Sequence, residues 1–373
     1  MRIAQIAPLA EPVPPILYGG TERVVSLLTE GLVKDGHDVT LFASGDSLTS
    51  AKLVPCVARG LRLDPAIKDT VAPTLIELGE VYRRASDFDL IHNHVDYFTF
   101  PFARLSATPT ITTTHSRLDL TEVRQVYGMY PEQMLVSISN DQASRLPGAN
   151  WIGNVHHGVD VGAFHFQRRP GDYLVFLGRI HPDKRPDRAI EIARDVGMRI
   201  IIAAKVADVD QAYYQVAIKP LVDASPLVEF VGEVDEVVKD QLLGGAYASL
   251  FPIDWPEPFG LTMIESMATG TPVIAYGIGS VPEVIVDGVT GFIRDSFSGM
   301  VEAVSMIGEI DRAQCRRHVE RNFTADLMVS RYEDLYKTVV KRERRRPLIQ
   351  TILGQLLHAE SGLETPARSG KAS

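Results

Sequence analysis

Short runs of apolar, often β-branched residues alternate along this chain with segments whose apolar positions recur every three to four residues. In the first half the runs are RIAQIA (2–7), DVTLFA (38–43), FDLIHNHV (88–95), TPTITTTHS (108–116) and MLVSIS (134–139). They read as the buried strands of a parallel sheet covered on both faces. Between the first two lies TERVVSLLTEGLVKDGH (21–37), where Val24, Val25, Leu28 and Leu32 keep helical spacing and Gly36 marks the end. A second series follows a polar turn at Pro170 and Gly171. Its strands are predicted over 173–179, 199–204, 227–232, 247–252 and 271–276, and its helices over 186–197, 235–244 and 261–269. Two successive strand–helix series predict two doubly wound α/β domains, 1–167 and 168–323. A long helix is expected over 324–346, with Met328, Tyr332, Leu335 and Val339 along one face, followed by a flexible tail, 347–373.

Composition narrows the class. The 373 residues are 45% hydrophobic and 23% charged, ordinary for a soluble globular protein, with a formal net charge of −9. That balance argues against a general nucleic-acid-binding role, although KRERRR (341–346) is locally basic. Cys56 and Cys315 are far apart and lack metal-ligand spacing, which fits a reducing compartment. The N-terminus does not read as a signal peptide, and no apolar run approaches 18 residues. The expected location is the cytoplasm, with the basic run offering a weak contact to the inner membrane face.

Ligands of open α/β sheets bind at the carboxyl ends of the strands, and several chemically suggestive residues fall there. Gly19 and Gly20 in YGGTERVV precede a helix; they suit close approach to a phosphate, but taken alone they fit a plain turn better, because glycine turns are common. Arg179 ends a predicted strand and Lys184 precedes a helix, a placement suited to clamping a diphosphate or to a solvated charged loop. His115 ends another strand, where a histidine is more often structural than catalytic. His92 and His94 share one strand face; His92 suits sheet packing and His94 a cleft position. No third residue completes a metal site with them. In WPEPFGLTMIESMATG, Glu265 falls inside the apolar stripe formed by Leu261, Ile264 and Ala268, while Glu257 lies before the helix. A buried carboxylate needs a partner. Ligand hydroxyls and a salt bridge satisfy that need equally well. Two further patterns carry no weight in sequence. Gly277-x-Gly279 lacks the third glycine of a dinucleotide fingerprint, and DVD at 208–210 is too common a tripeptide.

Together these motifs resemble the family-4 glycosyltransferases of the GT-B fold, over roughly residues 1–340. The matches are GG-x-E-R (Gly19 to Arg23), HGVD (157–160), GR-x(4)-K (Arg179 to Lys184), E-x(7)-E (Glu257 and Glu265) and G-x-x-PE (279–283). The resemblance implies two Rossmann-like domains facing each other across a cleft, with the last helix crossing back to the first. It implies a retaining, metal-independent hexosyltransferase, with UDP-glucose as the expected donor and no cofactor. Arg179 and Lys184 would hold the donor diphosphate, approached by Gly19 and Gly20 from the other domain. Glu265 would hold the ribose, and Glu257 the sugar, with backbone at Phe259, Gly260 and Leu261. His115 would sit at the reacting centre. His94 is expected to face the acceptor, a small molecule, glycan or lipid. Two departures stand out: Ala203, Ala204 and Lys205 replace a glycine-rich turn, and Ser280 replaces the second glycine before Pro-Glu. The competing functions are a nucleotide-sugar epimerase, a phosphorylase, and a non-catalytic protein binding sugar nucleotides or a membrane surface.

Overall fold

The computed structural model describes residues 1–64 and 66–361. Two parallel sheets organise them. The first contains β1 (Arg2–Ile6), β2 (Asp38–Ser44), β3 (Lys52–Val57), β4 (Leu90–Asn93), β5 (Thr110–Thr113), β6 (Met134–Ser137) and β7 (Trp151–Asn154), in the order β3-β2-β1-β4-β5-β6-β7. The second contains β8 (Tyr173–Arg179), β9 (Arg199–Lys205), β10 (Val228–Gly232), β11 (Ala248–Phe251), β12 (Val273–Tyr276) and β13 (Gly291–Arg294), in the order β10-β9-β8-β11-β12-β13. In each sheet the winding reverses beside the first strand, at β1/β4 and at β8/β11. Such a reversal splays the flanking loops and opens a crevice at the carboxyl ends.

All ten strands read from the sequence are present. The runs 88–95 and 108–116 shorten to β4 and β5, and their surplus ends become the loops that carry His94 and His115. The sequence pattern misses β3, β7 and β13, all edge strands. Edge strands are covered on fewer sides and need less apolar sequence. β3 is exposed or half-buried and carries Pro55, and β7 is half-buried throughout.

On one face of the first sheet, Val24, Leu28 and Leu32 of helix Gly20–Lys34 pack with Met328, Tyr332, Tyr336 and Val339 of helix Ala325–Ser361. The last helix therefore belongs to the first lobe. Its predicted face is correct except that Tyr336 is fully buried and Leu335 only partly so. The helix passes Pro347 and continues to Ser361, beyond the end expected at 346. Side chains of 344–361, and all of 362–373, lie outside the described residues, and with them half of the basic run and the end of the expected tail. The chain crosses between lobes at two adjacent places: Val159 N–H donates to the Phe323 carbonyl and Ala325 N–H to the Val159 carbonyl, both at 2.9 Å. Among the described residues, no helix is long and apolar enough to cross a membrane.

Candidate active site

The two crevices face each other and enclose a cleft of about 700 Å³. The lobes touch along its rim. Tyr18 N–H donates to Glu233 at 2.8 Å, Arg23 pairs with Glu236 at 2.8 Å, and Lys205 with Glu11 at 3.3 Å. Arg117 pairs with Asp183 at 3.4 Å, its guanidinium 4.9 Å from the Trp255 ring centre. Gly19, Gly20, His94 and His115 line the cleft from the first lobe; Arg179, Lys184, Glu257, Phe259, Gly260, Leu261 and Glu265 line it from the second.

The second-lobe wall is built on charge. Arg179 ends β8, and its Nε donates to Asp210 at 2.5 Å; Asp210 is buried and belongs to the DVD triplet that carried no weight in sequence. Lys184 Nζ donates to Glu257 Oε2 at 2.5 Å. Glu265 is 4% exposed and accepts from Lys239 Nζ at 2.6 Å; Lys239 is 6% exposed and also reaches Glu236 at 2.9 Å. Both partners offered for Glu265 by its chemistry are thus available, because the ion pair forms on the cleft wall itself. Lys239 gave no warning in sequence, since a lysine on an amphipathic helix ordinarily points to water. Removing one member of such a buried pair leaves the other desolvated, which is far costlier than losing an exposed pair.

Backbone geometry holds the glutamate loop. Gly279 has φ +65°, and a Cβ there would lie 2.6 Å from both the nitrogen and the carbonyl oxygen of Glu257. Ser280 N–H donates to the Glu257 carbonyl at 3.1 Å, and Ser280 Oγ donates to the Phe259 carbonyl at 2.6 Å. The segment that resembled a failed dinucleotide fingerprint is therefore the support beneath Glu257, and serine in place of a second glycine adds a hydrogen bond to it. Gly260, at φ +81°, starts helix Leu261–Ala268; a Cβ there would come within 2.8 Å of Phe251 and Met263. Gly260, Leu261 and Thr262 all line the cleft, so the positive end of this helix lies at it.

Around His115 the first-lobe wall is built on neutral groups. His115 Nε2 lies 2.9 Å from His94 Nδ1, and His94 Nε2 lies 2.9 Å from Gln5 Oε1. Gln5 Nε2 donates to Tyr336 OH at 3.2 Å, and that hydroxyl lies 2.7 Å from His92 Nδ1. His92 Nε2 meets Thr113 Oγ1 at 2.8 Å. His94, 2% exposed with both ring nitrogens bonded inside the chain, keeps no ring nitrogen for the acceptor contact expected of it. His157, from HGVD, was not singled out as a site residue. It stacks on His115 with ring centres 5.2 Å apart and sets its edge against Phe259 at 5.0 Å. Burial holds His115 down to about 3, and burial with neighbouring rings holds His92, His94 and His157 well below the usual histidine range. All four are neutral near pH 7.

Glu22 was also missed. It sits in the first turn of helix Gly20–Lys34 at 4% exposure, and burial pushes its carboxyl up to about 7. A glutamate in a helix's first turn ordinarily reads as a dipole partner, which hid it. Among the described residues, no cluster of three or more His, Cys, Asp or Glu is placed to hold a metal ion.

Known proteins match this arrangement. Residues 18–152 match the family described as Glycosyltransferase Family 4, and residues 165–308 match Glycosyl transferases group 1. A phosphatidyl-myo-inositol mannosyltransferase from Mycolicibacterium smegmatis is 26% identical over 354 residues, covering 85% of this chain and 86% of its own. Among solved structures, a sucrose-phosphate synthase from Thermosynechococcus elongatus superposes with a TM-score of 0.74 at 17% identity, covering 92% of this chain and all of its own. An Anabaena protein solved with UDP-glucose superposes with a TM-score of 0.72 at 13% identity, covering 91% and 100%. These two structures establish the fold.

Proposed function

The chain belongs to the family-4 glycosyltransferases of the GT-B fold, and from that premise we propose that it moves a hexose from a nucleotide sugar to an acceptor hydroxyl with retention of anomeric configuration. The observation that carries this reading is the convergence of Arg179, Lys184 and the N-terminus of helix Leu261–Ala268 on one cleft. A departing nucleotide diphosphate develops negative charge. Two fixed cations and a helix N-terminus stabilise that charge best if they are in place beforehand. On this reading the diphosphate replaces Asp210 on Arg179 and Glu257 on Lys184, which frees Glu257 for sugar hydroxyls. Glu265, paired with Lys239, accepts from the ribose hydroxyls.

For the transfer step we favour front-face displacement. The bond from the sugar's anomeric carbon to the diphosphate oxygen breaks, and a bond to the acceptor oxygen forms on the same face. The acceptor's proton passes to the departing phosphate oxygen. His115 is neutral and acts as a hydrogen-bond partner of the sugar rather than as an acid. Side-chain cations supply the positive charge, so the reaction is proposed to need no metal ion. UDP-glucose is the proposed donor.

Calorimetry with UDP-, GDP- and ADP-sugars tests the donor. Saturable binding of the uridine nucleotide is expected, and no binding to any of the three would sink the reading. Proton NMR of the product tests retention, and an inverted linkage would reject front-face attack. Equal rates with EDTA and with added Mg²⁺ are expected; loss of activity in EDTA would overturn metal independence.

A further inference from the structure

We propose that His94 is a positioning residue that, linked through Gln5 to Tyr336 in the last helix, holds His115 as its Nε2–H tautomer and leaves His115 Nδ1 as an acceptor for a hydroxyl of the transferred sugar. The proposal rests on the transferase reading for its chemical purpose, and on the hydrogen-bond chain alone for its geometry.

A neutral imidazole has one donor nitrogen and one acceptor nitrogen, and the bond made by one decides the role of the other. Gln5 Oε1 is an acceptor only. His94 Nε2, 2.9 Å from it, therefore carries the proton. His94 Nδ1 is then a lone pair, and His115 Nε2, 2.9 Å away, must donate to it. That leaves His115 Nδ1 as the lone-pair nitrogen. It makes no hydrogen bond among the described residues, and the ring lines the cleft. The Gln5 amide is held at its other end, where Nε2 donates to Tyr336 OH at 3.2 Å and that hydroxyl meets His92 Nδ1 at 2.7 Å. Gln5, His92, His94 and Tyr336 are buried, so water does not compete for the bonds among them, and the last bond, from His94 to His115, is partly buried at the cleft edge.

The arrangement gives His115 a defined polarity. A lone pair facing the cleft takes a hydroxyl proton, whereas an N–H there would donate to a hydroxyl oxygen. If the Gln5 amide were turned over, every donor along the chain would reverse, and His115 would present Nδ1–H. The polarity of a residue at the reacting centre is thus fixed by buried groups beneath the last helix.

The test is two-bond ¹H–¹⁵N spectroscopy on the full chain labelled with ¹⁵N-histidine. His94 and His115 are each expected as a single Nε2–H tautomer at neutral pH. Gln5→Leu removes the acceptor that orders the chain and should convert His115 to a mixture. It should also lower kcat for transfer about fivefold, the scale of one neutral hydrogen bond, with donor KM changed less than about twofold. Should Gln5→Leu fail to fold, Tyr336→Phe removes a single hydroxyl and should shift the His115 tautomer in the same direction. An Nδ1–H or mixed His115 in the wild type overturns the proposal, as does an unchanged tautomer in a folded variant. Nucleotide calorimetry on the same sample separates the two readings. Absence of binding would sink the transferase reading and leave the tautomer result standing.

Discussion

The two walls of the cleft use opposite electrostatics. The second lobe presents cations already in contact with carboxylates: Arg179 with Asp210, Lys184 with Glu257, Lys239 with Glu265. The first lobe presents neutral imidazoles in a buried hydrogen-bond chain. A charged pair can exchange partners when an anion arrives, and each cation then trades one negative neighbour for another. A neutral chain has nothing to exchange and serves to orient. The contrast suits a reaction in which the leaving group develops charge against one wall while an uncharged sugar hydroxyl is oriented by the other.

Several substitutions would break or sharpen this contrast. The largest effect is expected at the exchanging cations. Arg179→Ala or Lys184→Ala should each lower the transfer rate by about a hundredfold, measured by steady-state kinetics; a loss under threefold would mean that these cations do not meet developing charge. Next comes the buried pair. Glu265→Ala strands Lys239 and should cost about 3 kcal/mol in urea unfolding, an upper figure because Glu236 remains at 2.9 Å. Donor affinity should fall with it, and wild-type stability together with wild-type affinity would exclude both roles assigned to Glu265.

The first-lobe wall should respond to pH in two directions. Glu22 titrates near 7 when folded, against an ordinary value of 4.5. Between those values the unfolded chain has already released its proton, so stability should fall as pH rises and level off above 7. Glu22→Gln should remove on the order of 2 kcal/mol of that fall, read from urea melts at pH 5 and pH 8. Glu11 and Arg62 act on the same carboxyl, so their substitution should shift the window. The histidines act oppositely. His115, near 3 when folded against 6.5 ordinarily, makes the unfolded chain the better proton binder below 6.5. Stability should therefore fall as pH drops from 6.5 toward 3, and His115→Gln should lessen the slope; an unchanged slope would count against a ring held neutral. The smallest effect is expected at the rim, where the Arg23–Glu236 pair is partly exposed. Arg23→Ala should change stability by about 0.5 kcal/mol or less.

Much of this was legible in sequence, for identifiable reasons. Buried parallel strands need continuous apolar runs, so ten strands declared themselves, while the edge strands β3, β7 and β13 did not. Glu265 stood out because a carboxylate in an apolar stripe is anomalous. Its partner Lys239 did not, because the stripe of one helix says nothing about what another brings to it. The same limit applies to Asp210 and Arg179, to Gly279 and Glu257, and to the contact of Tyr336 with Gln5 and His92. Each is a pairing made by tertiary structure between segments that look ordinary alone. His94 shows the converse, a cleft position read correctly and a direct acceptor contact for which its two internal hydrogen bonds leave no ring nitrogen.

The last helix also sets an order of assembly. Residues 168–323 form the second lobe from one uninterrupted stretch, but the first lobe needs both residues near the N-terminus and those beyond 325. A chain emerging from the ribosome can close the second lobe as soon as it is made. Until then Val24, Leu28 and Leu32 have been waiting for Met328, Tyr332 and Tyr336, their apolar faces uncovered for most of synthesis. Residues of the first helix are thus among the last to be buried, and the lobe with the histidine wall is the one completed later.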